Sequence, residues 1–362
     1  MKKIGKIIEI ILCLPYLILK KIFNVFSFAF FVITFSFKKS YFPEAKRKNA
    51  FHRMFDLVRW QIKNHDRNTF YYLYGLDVKN TDMSNYVSER FFWSTLMDRN
   101  QLVISNKYCV AGSQIYYLRD KFAFYEFMKN RNQPVPEVFC LMKDGAFYDS
   151  KMNPISLEQL KQKKDFFVKD ADGQCASFVK HVSSIDELNN YPNLKNGEYI
   201  LQEAVHQSDE MNAINPCSLN TLRICTVNNG EGPYFLTAVL RVGTKKTGNV
   251  DNWAAGGLSI GIDENGRLAK YGFYKPIHGT KARVHPDTGI VFEETVISQF
   301  KQACELVCNA HKLFYGVHSI GWDIALTDKG PVIIEGNDNW EMSLMQACNG
   351  GLKDKWEKAV KK

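Results

Sequence analysis

Residues 321–341 read GWDIALTDKGPVIIEGNDNWE. Two short apolar runs, 322–326 and 332–334, flank Asp328-Lys329-Gly330, a three-residue loop whose glycine suits the left-handed corner of an antiparallel hairpin. Pairing Thr327 with Pro331 sets a register in which opposed positions sum to 658, so Asp323 stands opposite Glu335. Asn337, two residues beyond, projects from the same face, and Trp322, Ile324, Val332 and Ile334 are the expected core face. Opposed carboxylates lie about 5 Å apart at Cβ. Uncompensated, they repel by roughly 3 kcal/mol at an effective dielectric of about 20. That spacing calls for a proton or a cation. Two carboxylates and a carboxamide form an all-oxygen set that suits Mg²⁺, with water and phosphate in the remaining positions. The alternative is a solvated hairpin face whose acids never share a site.

Working outward, charge is unevenly placed. The chain of 362 residues carries a net charge of +9, yet residues 1–50 hold ten Lys/Arg against two Glu. The remainder is therefore nearly neutral, which excludes a nucleic-acid-binding body with a broad basic surface. The basic excess brackets two apolar runs, 7–19 and 22–37. The second spans about 24 Å as a helix, short of a hydrocarbon core of roughly 30 Å. No small-residue cleavage site follows it. We therefore expect an interfacial or re-entrant anchor on anionic lipid at the cytoplasmic membrane face, against a buried helical hairpin or a short span. Nine scattered cysteines without a C-x-x-C pattern match a reduced compartment and imply neither a disulfide framework nor zinc.

Between residues 41 and 105 the pattern is helical, with Phe51, Phe55, Val58 and Ile62 on one amphipathic face. A mixed pattern follows. Residues 118–129 read as a helix that stops before Pro134 and Pro136, and 165–169 (DFFVK) read as a strand ending on Lys169. The small-residue loop 170–177 comes next, then strands at 198–205, 220–227 and 233–243. The loop 244–256 carries Asn252-Trp253 at its tip and is a candidate substrate cover. A helix over 293–313 turns Ile297, Phe300, Cys304, Val307 and Cys308 inward. Arg241 reads equally as a site cation or a structural ion-pair partner, and Asn252 as a site residue or turn chemistry.

Taken in order, Asp120-Lys121 near a helix start before P-x-P, F-V-K, the small loop, L-Q-E, N-T-L-R, N-x-x-x-G-G and W-D-I…E-x-N resemble the ATP-grasp superfamily. The nearer resemblance is to the sugar-transfer-associated ATP-grasp group of polysaccharide gene clusters, and it extends over residues 71–340. It implies an α+β ATP-grasp fold, in which two α+β subdomains clasp ATP, behind a helical lead-in and a hydrophobic N-terminal segment. The matching divisions are 1–40, 41–105, 106–205 and 206–362. The resemblance places Lys121 and Lys169 on ATP phosphates, with Asp170, Gly173 and Ser177 in the covering loop. It places Gln202, Glu203 and Val205 at the adenine hinge, and the ribose acceptor among His206, Asp209 and Glu210, of which Asp209 is taken. Arg223 meets the transferred phosphoryl group, with Arg241 and Asn252 beside it. Asp323, Glu335 and Asn337 hold Mg²⁺, and Trp340 and Glu341 cap the substrate side. The implied activity is a ligase joining a small carboxylate to an amine in glycoconjugate modification. A kinase acting on a hydroxyl and a non-catalytic membrane scaffold stay open.

Overall fold

The computed structural model describes residues 2–100, 114–172, 178–248 and 251–361, with side chains from Leu19 onward except Pro192. Two compact units divide the chain, Met1–Met83 and Ser84–Lys362.

In the first unit, α1 (Lys2–Ser36) runs unbroken through the first apolar stretch and the second as far as Ser36. Thirty-five residues make about 52 Å of helix. Its segment Leu19–Ser36 is long and apolar enough to cross a membrane. Helix α2 (Ala50–Asn64) is capped by Asn49, whose side chain accepts from His52 N. The helix buries Arg53, Leu57 and Trp60, while Phe51, Phe55 and Ile62 are exposed. Periodicity located the apolar stripe correctly, but the stripe faces away from the unit's core.

The second unit opens with α3 (Glu89–Arg99), α4 (Ile115–Arg119) and α5 (Lys121–Lys129). The single helix expected over 118–129 is broken at Asp120, whose side chain caps α5 by accepting from Ala123 N at 2.8 Å. That cap places Lys121 in the first turn. Next come β1 (Val138–Lys143), β2 (Ala146–Tyr148), β3 (Pro154–Ile155), α6 (Leu157–Leu160), β4 (Lys164–Asp170), β5 (Val179–Ser184) and β6 (Glu198–Glu203). They form an antiparallel sheet of order β3-β2-β1-β6-β4-β5. Asp144 and Gly145, with φ of 48° and 80°, supply the left-handed pair that a two-residue hairpin turn needs.

After α7 (Asp209–Ile214) come β7 (Thr221–Asn228), β8 (Pro233–Val242), β9 (Leu258–Ile262), β10 (Leu268–Phe273) and β11 (Lys281–Ala282). Then follow α8 (Phe300–His311), β12 (Ser319–Thr327), β13 (Gly330–Asn337), α9 (Met342–Asn349) and α10 (Lys353–Val360). The second sheet, also antiparallel, has the order β11-β10-β9-β8-β7-β12-β13. Alternation along its strands sends Leu222, Ile224, Leu240, Trp322 and Ile324 into a core with Phe300, Val307 and Phe314. Helix α8 starts at Phe300, not at 293, and leaves Cys304 and Cys308 only partly buried. On the other face, a Cβ at Gly261 would lie 2.4 Å from the Cys348 carbonyl oxygen, so only glycine lets α9 approach β9 this closely.

The β12–β13 hairpin differs from expectation in one instructive way. Thr327 pairs with Gly330 across a two-residue corner, so the turn half runs in a register one residue tighter than expected. A bulge between the Ile324–Ile333 and Asp323–Glu335 pairs takes up the difference, with Ile334 as the extra residue. Asp323 therefore does oppose Glu335, while the core residue near the turn is Ile333, not Val332 or Ile334.

Candidate active site

Glu335, Asp323 and Arg223 stand opposite one another on β13, β12 and β7, a row of alternating partners across the sheet. Arg223 grips Asp323 with both arms, Nε donating to Oδ1 and Nη2 to Oδ2 at 2.9 Å. Arg241, from β8, donates Nη1 to the same Oδ2 at 2.8 Å and Nη2 to Asp251 Oδ1 at 3.0 Å. Asp251 Oδ2 in turn accepts from Thr221 N at 3.0 Å and from the Thr221 hydroxyl. The charge expected to need a metal at Asp323 is thus met by two guanidinium groups.

Burial pushes the Asp323 carboxyl up, but Arg223 and then Arg241 outweigh it and hold the group well below the usual carboxylate range. Glu335 has no such grip. Burial and then the Asp323 charge hold its carboxyl above the usual range. Its near partner is Asn337 Nδ2, 3.3 Å from Oε1, which confirms that Asn337 shares its face. No group of three or more His, Cys, Asp or Glu side chains able to hold a metal occurs among the described residues. The set available is two carboxylates and one carboxamide, and the under-compensated Glu335 gives it room for one hard cation.

The first sheet supplies the facing wall. Phe166, Val168 and Leu201 enter its core, so Phe167 and Lys169 on β4 and Ile200 and Gln202 on β6 face the cavity. Lys169 Nζ donates to Gln202 Oε1 at 2.7 Å. Burial pushes the Lys169 ammonium down to about 8, with Glu335 opposing the fall and Lys121 adding to it.

The cavity between the walls measures about 400 Å³. Lys121, Lys169, Gln202, Glu203 and Val205 line one side; Arg223, Arg241, Asn252, Asp323, Glu335 and Asn337 line the other. Trp340 and Glu341 also line it. Two expected residues do not line it. Asp170 ends β4 opposite Tyr199, and Asp209 opens α7 in an exposed position. Glu210 is engaged by Ser298 at 2.8 Å and His206 by Asp165 at 3.0 Å, so the ribose acceptor expected among these three is not at the cavity wall. Gly173 and Ser177 lie outside the described residues.

The profile of one protein family, described as sugar-transfer associated ATP-grasp, matches residues 174–362, just over half of the chain. The chain belongs to this family. The α+β arrangement of two antiparallel sheets is accordingly an ATP-grasp fold. The profile takes in the whole second sheet and strands β5 and β6, while Lys121 and Lys169 precede it. Similar solved structures include N5-carboxyaminoimidazole ribonucleotide synthetase from Thermotoga maritima, at 16% identity and TM-score 0.36 over 62% of this chain and 42% of that one. D-alanine–D-alanine ligase from Bacillus anthracis shares 12% identity at TM-score 0.40, with 67% of each chain covered. The biotin carboxylase domain of 2-oxoglutarate carboxylase from Hydrogenobacter thermophilus shares 13% at TM-score 0.41, over 68% of this chain and 45% of that one. The chain thus spans under half the length of the first and third. No curated protein matches it in sequence.

Reading the family motifs from sequence missed several cavity residues. Asp251, the partner of Arg241, lies in the loop singled out as a cover, one residue before the chosen Asn252. Asn252 itself performs turn chemistry, its Oδ1 accepting from Ala254 N at 2.9 Å, while lining the cavity. Trp253 is buried and donates Nε1 to the Phe273 carbonyl at 2.9 Å, which pins that end of the loop. Arg119, held by Asp338 at 2.7 Å and 2.9 Å, and Ile334 at the bulge also line the cavity. The sequence marks Trp253 and the loop holding Asp251 as a candidate cover and assigns Ile334 to the core, while it gives no sign of Arg119.

Proposed function

We propose that the protein is an ATP- and Mg²⁺-dependent carboxylate–amine ligase working through an acylphosphate. The observation that carries this reading is the row Glu335–Asp323–Arg223 facing Lys169 and Lys121 across one cavity, in a chain of the ATP-grasp family. Gln202, Glu203 and Val205 border the adenine, and Lys169 and Lys121 neutralise phosphate oxygens. Mg²⁺ held by Asp323, Glu335 and Asn337 would supply charge neutralisation at the β- and γ-phosphates. Arg223 and Arg241, fixed by Asp323 and Asp251, hold oriented N–H donors where phosphoryl charge builds up. A carboxylate oxygen attacks the γ-phosphorus, the bridging P–O bond breaks and ADP departs. An amine nitrogen then attacks the acyl carbon and loses a proton, and phosphate leaves as the amide forms. The family's sugar-transfer association supports a sugar acid, amino acid or amino sugar as substrate, at the cytoplasmic face of a membrane that α1 reaches.

Incubation with ATP, Mg²⁺, hydroxylamine and a panel of sugar acids and amino acids tests the chemistry. The expected result is ADP with a hydroxamate of one acid in the absence of amine. A stable phosphate ester without hydroxamate from any acid would decide for a kinase. The nucleotide assignment is tested separately: Lys169→Ala should weaken ATP binding by about 1.5–3 kcal/mol, the value of a charge-assisted contact. Unchanged affinity in calorimetry would reduce Lys169 to a partner of Gln202.

A further inference from the structure

Helix α2 presents its apolar stripe to the outside and Arg53 to the inside. Phe51, Phe55 and Ile62 are 83%, 64% and 70% exposed, and their positions fall on one side of the helix. Arg53 is buried because it has work there: Nε donates to the Ser36 carbonyl at 2.8 Å and Nη1 to the Lys48 carbonyl. Ser36 closes α1, so the guanidinium satisfies a helix-end carbonyl that has no partner within the helix. Tyr72 does the same for Phe35, its hydroxyl donating to that carbonyl at 2.8 Å. Rotating α2 to hide its phenylalanines would strip α1 of the Arg53 bond. The outward stripe is therefore built in.

Other apolar side chains of the same unit are exposed, and the segment that holds them is basic. On α1, Phe23, Phe26 and Phe30 are exposed to a similar degree, as is Phe37 just beyond its end. Residues 19–65 hold ten Lys/Arg against two acids, and one of these, Asp56, is engaged by Lys48 at 2.8 Å. Lys38, Lys39, Lys46, Arg59 and Lys63 are exposed. Aromatic and aliphatic side chains on one face with cations at its flanks match the chemistry of an anionic lipid surface, apolar groups entering the acyl boundary and cations meeting headgroups. We propose that the Phe51–Phe55–Ile62 face of α2 rests in the headgroup region of an anionic bilayer, a second membrane contact after α1. The proposal extends the membrane reading above but rests on α2's own exposure.

Its test uses the full chain, reconstituted with vesicles of phosphatidylcholine with or without phosphatidylglycerol. Photoreactive benzoylphenylalanine replaces Phe51, Phe55 or Ile62 one at a time, with Tyr315, an exposed aromatic of the second unit, as control. Irradiation should give lipid adducts at all three α2 positions in anionic vesicles, a loss of adduct in neutral ones, and background at Tyr315. Adducts to polypeptide would overturn the proposal in favour of a protein partner or second copy. Background labelling on a chain that floats with the vesicles overturns the proposal alone and leaves the α1 reading standing. A chain that fails to float overturns both.

Discussion

Asp323→Asn and Glu335→Gln should both abolish turnover, yet part company in unfolding. Two opposed acids, considered alone, give the same expectation for either change, namely relief of repulsion. The ion pairs remove that symmetry. Asp323 is the shared acceptor of Arg223 and Arg241, so neutralising it leaves two buried guanidinium groups short of charge. Breaking such a pair costs about 3–5 kcal/mol. Glu335 pairs with neither arginine, and its carboxyl sits above its usual range through burial and the Asp323 charge. Glutamine there removes a strained charge, and stability should stay level or rise. Denaturant unfolding of the two variants beside the parent checks this; equal destabilisation would mean that the arginines do not depend on Asp323.

The second large effect is acid sensitivity centred on His311. This side chain is fully buried on α8, with Nε2 donating to the Val317 carbonyl at 3.0 Å and Nδ1 accepting from Thr226 Oγ1 at 2.7 Å. Thr226 Oγ1 itself accepts from Trp322 Nε1 at 2.8 Å, so the chain of donors needs a neutral ring. Burial pushes the imidazole down from 6.5 to about 4. A depressed histidine contributes stability that is full above its unfolded value and is lost as pH falls toward the folded one. Between pH 6.5 and 4 the loss amounts to about 3 kcal/mol. Unfolding free energies measured across that window should fall, and His311→Gln should flatten the fall. An unchanged slope in the variant would assign the acid loss to the carboxylates.

Much of this site is local in sequence, and that part was legible. Asp323, Glu335 and Asn337 belong to one hairpin, and strand alternation alone puts them on one face. Even there the route was wrong, because the corner is one residue tighter and Ile334 compensates. Asp251 was not legible, since its partner Arg241 is ten residues away across a loop and no periodicity links them. The break at Asp120 could be read only once the capping bond was visible. Helix α2 shows a further limit: spacing reveals an apolar stripe, whereas which side is wet depends on Arg53 finding the end of α1. Asp209 lies off the cavity wall for a related reason, as it was one of three acceptor candidates after β6 and the chain turns there into α7.

The bulge has a consequence for editing this protein by length. Ile333 faces the core and Glu335 the cavity, and their partners Ile324 and Asp323 are consecutive on β12. Excising Ile334 would therefore join two correctly phased half-ladders without moving either carboxylate's opposite number. What disappears is one aliphatic group from the cavity floor and the extra twist of the strand. The hairpin behaves as a splice joint, where a single-residue indel acts on the hydrophobic floor and leaves the acid pair in frame.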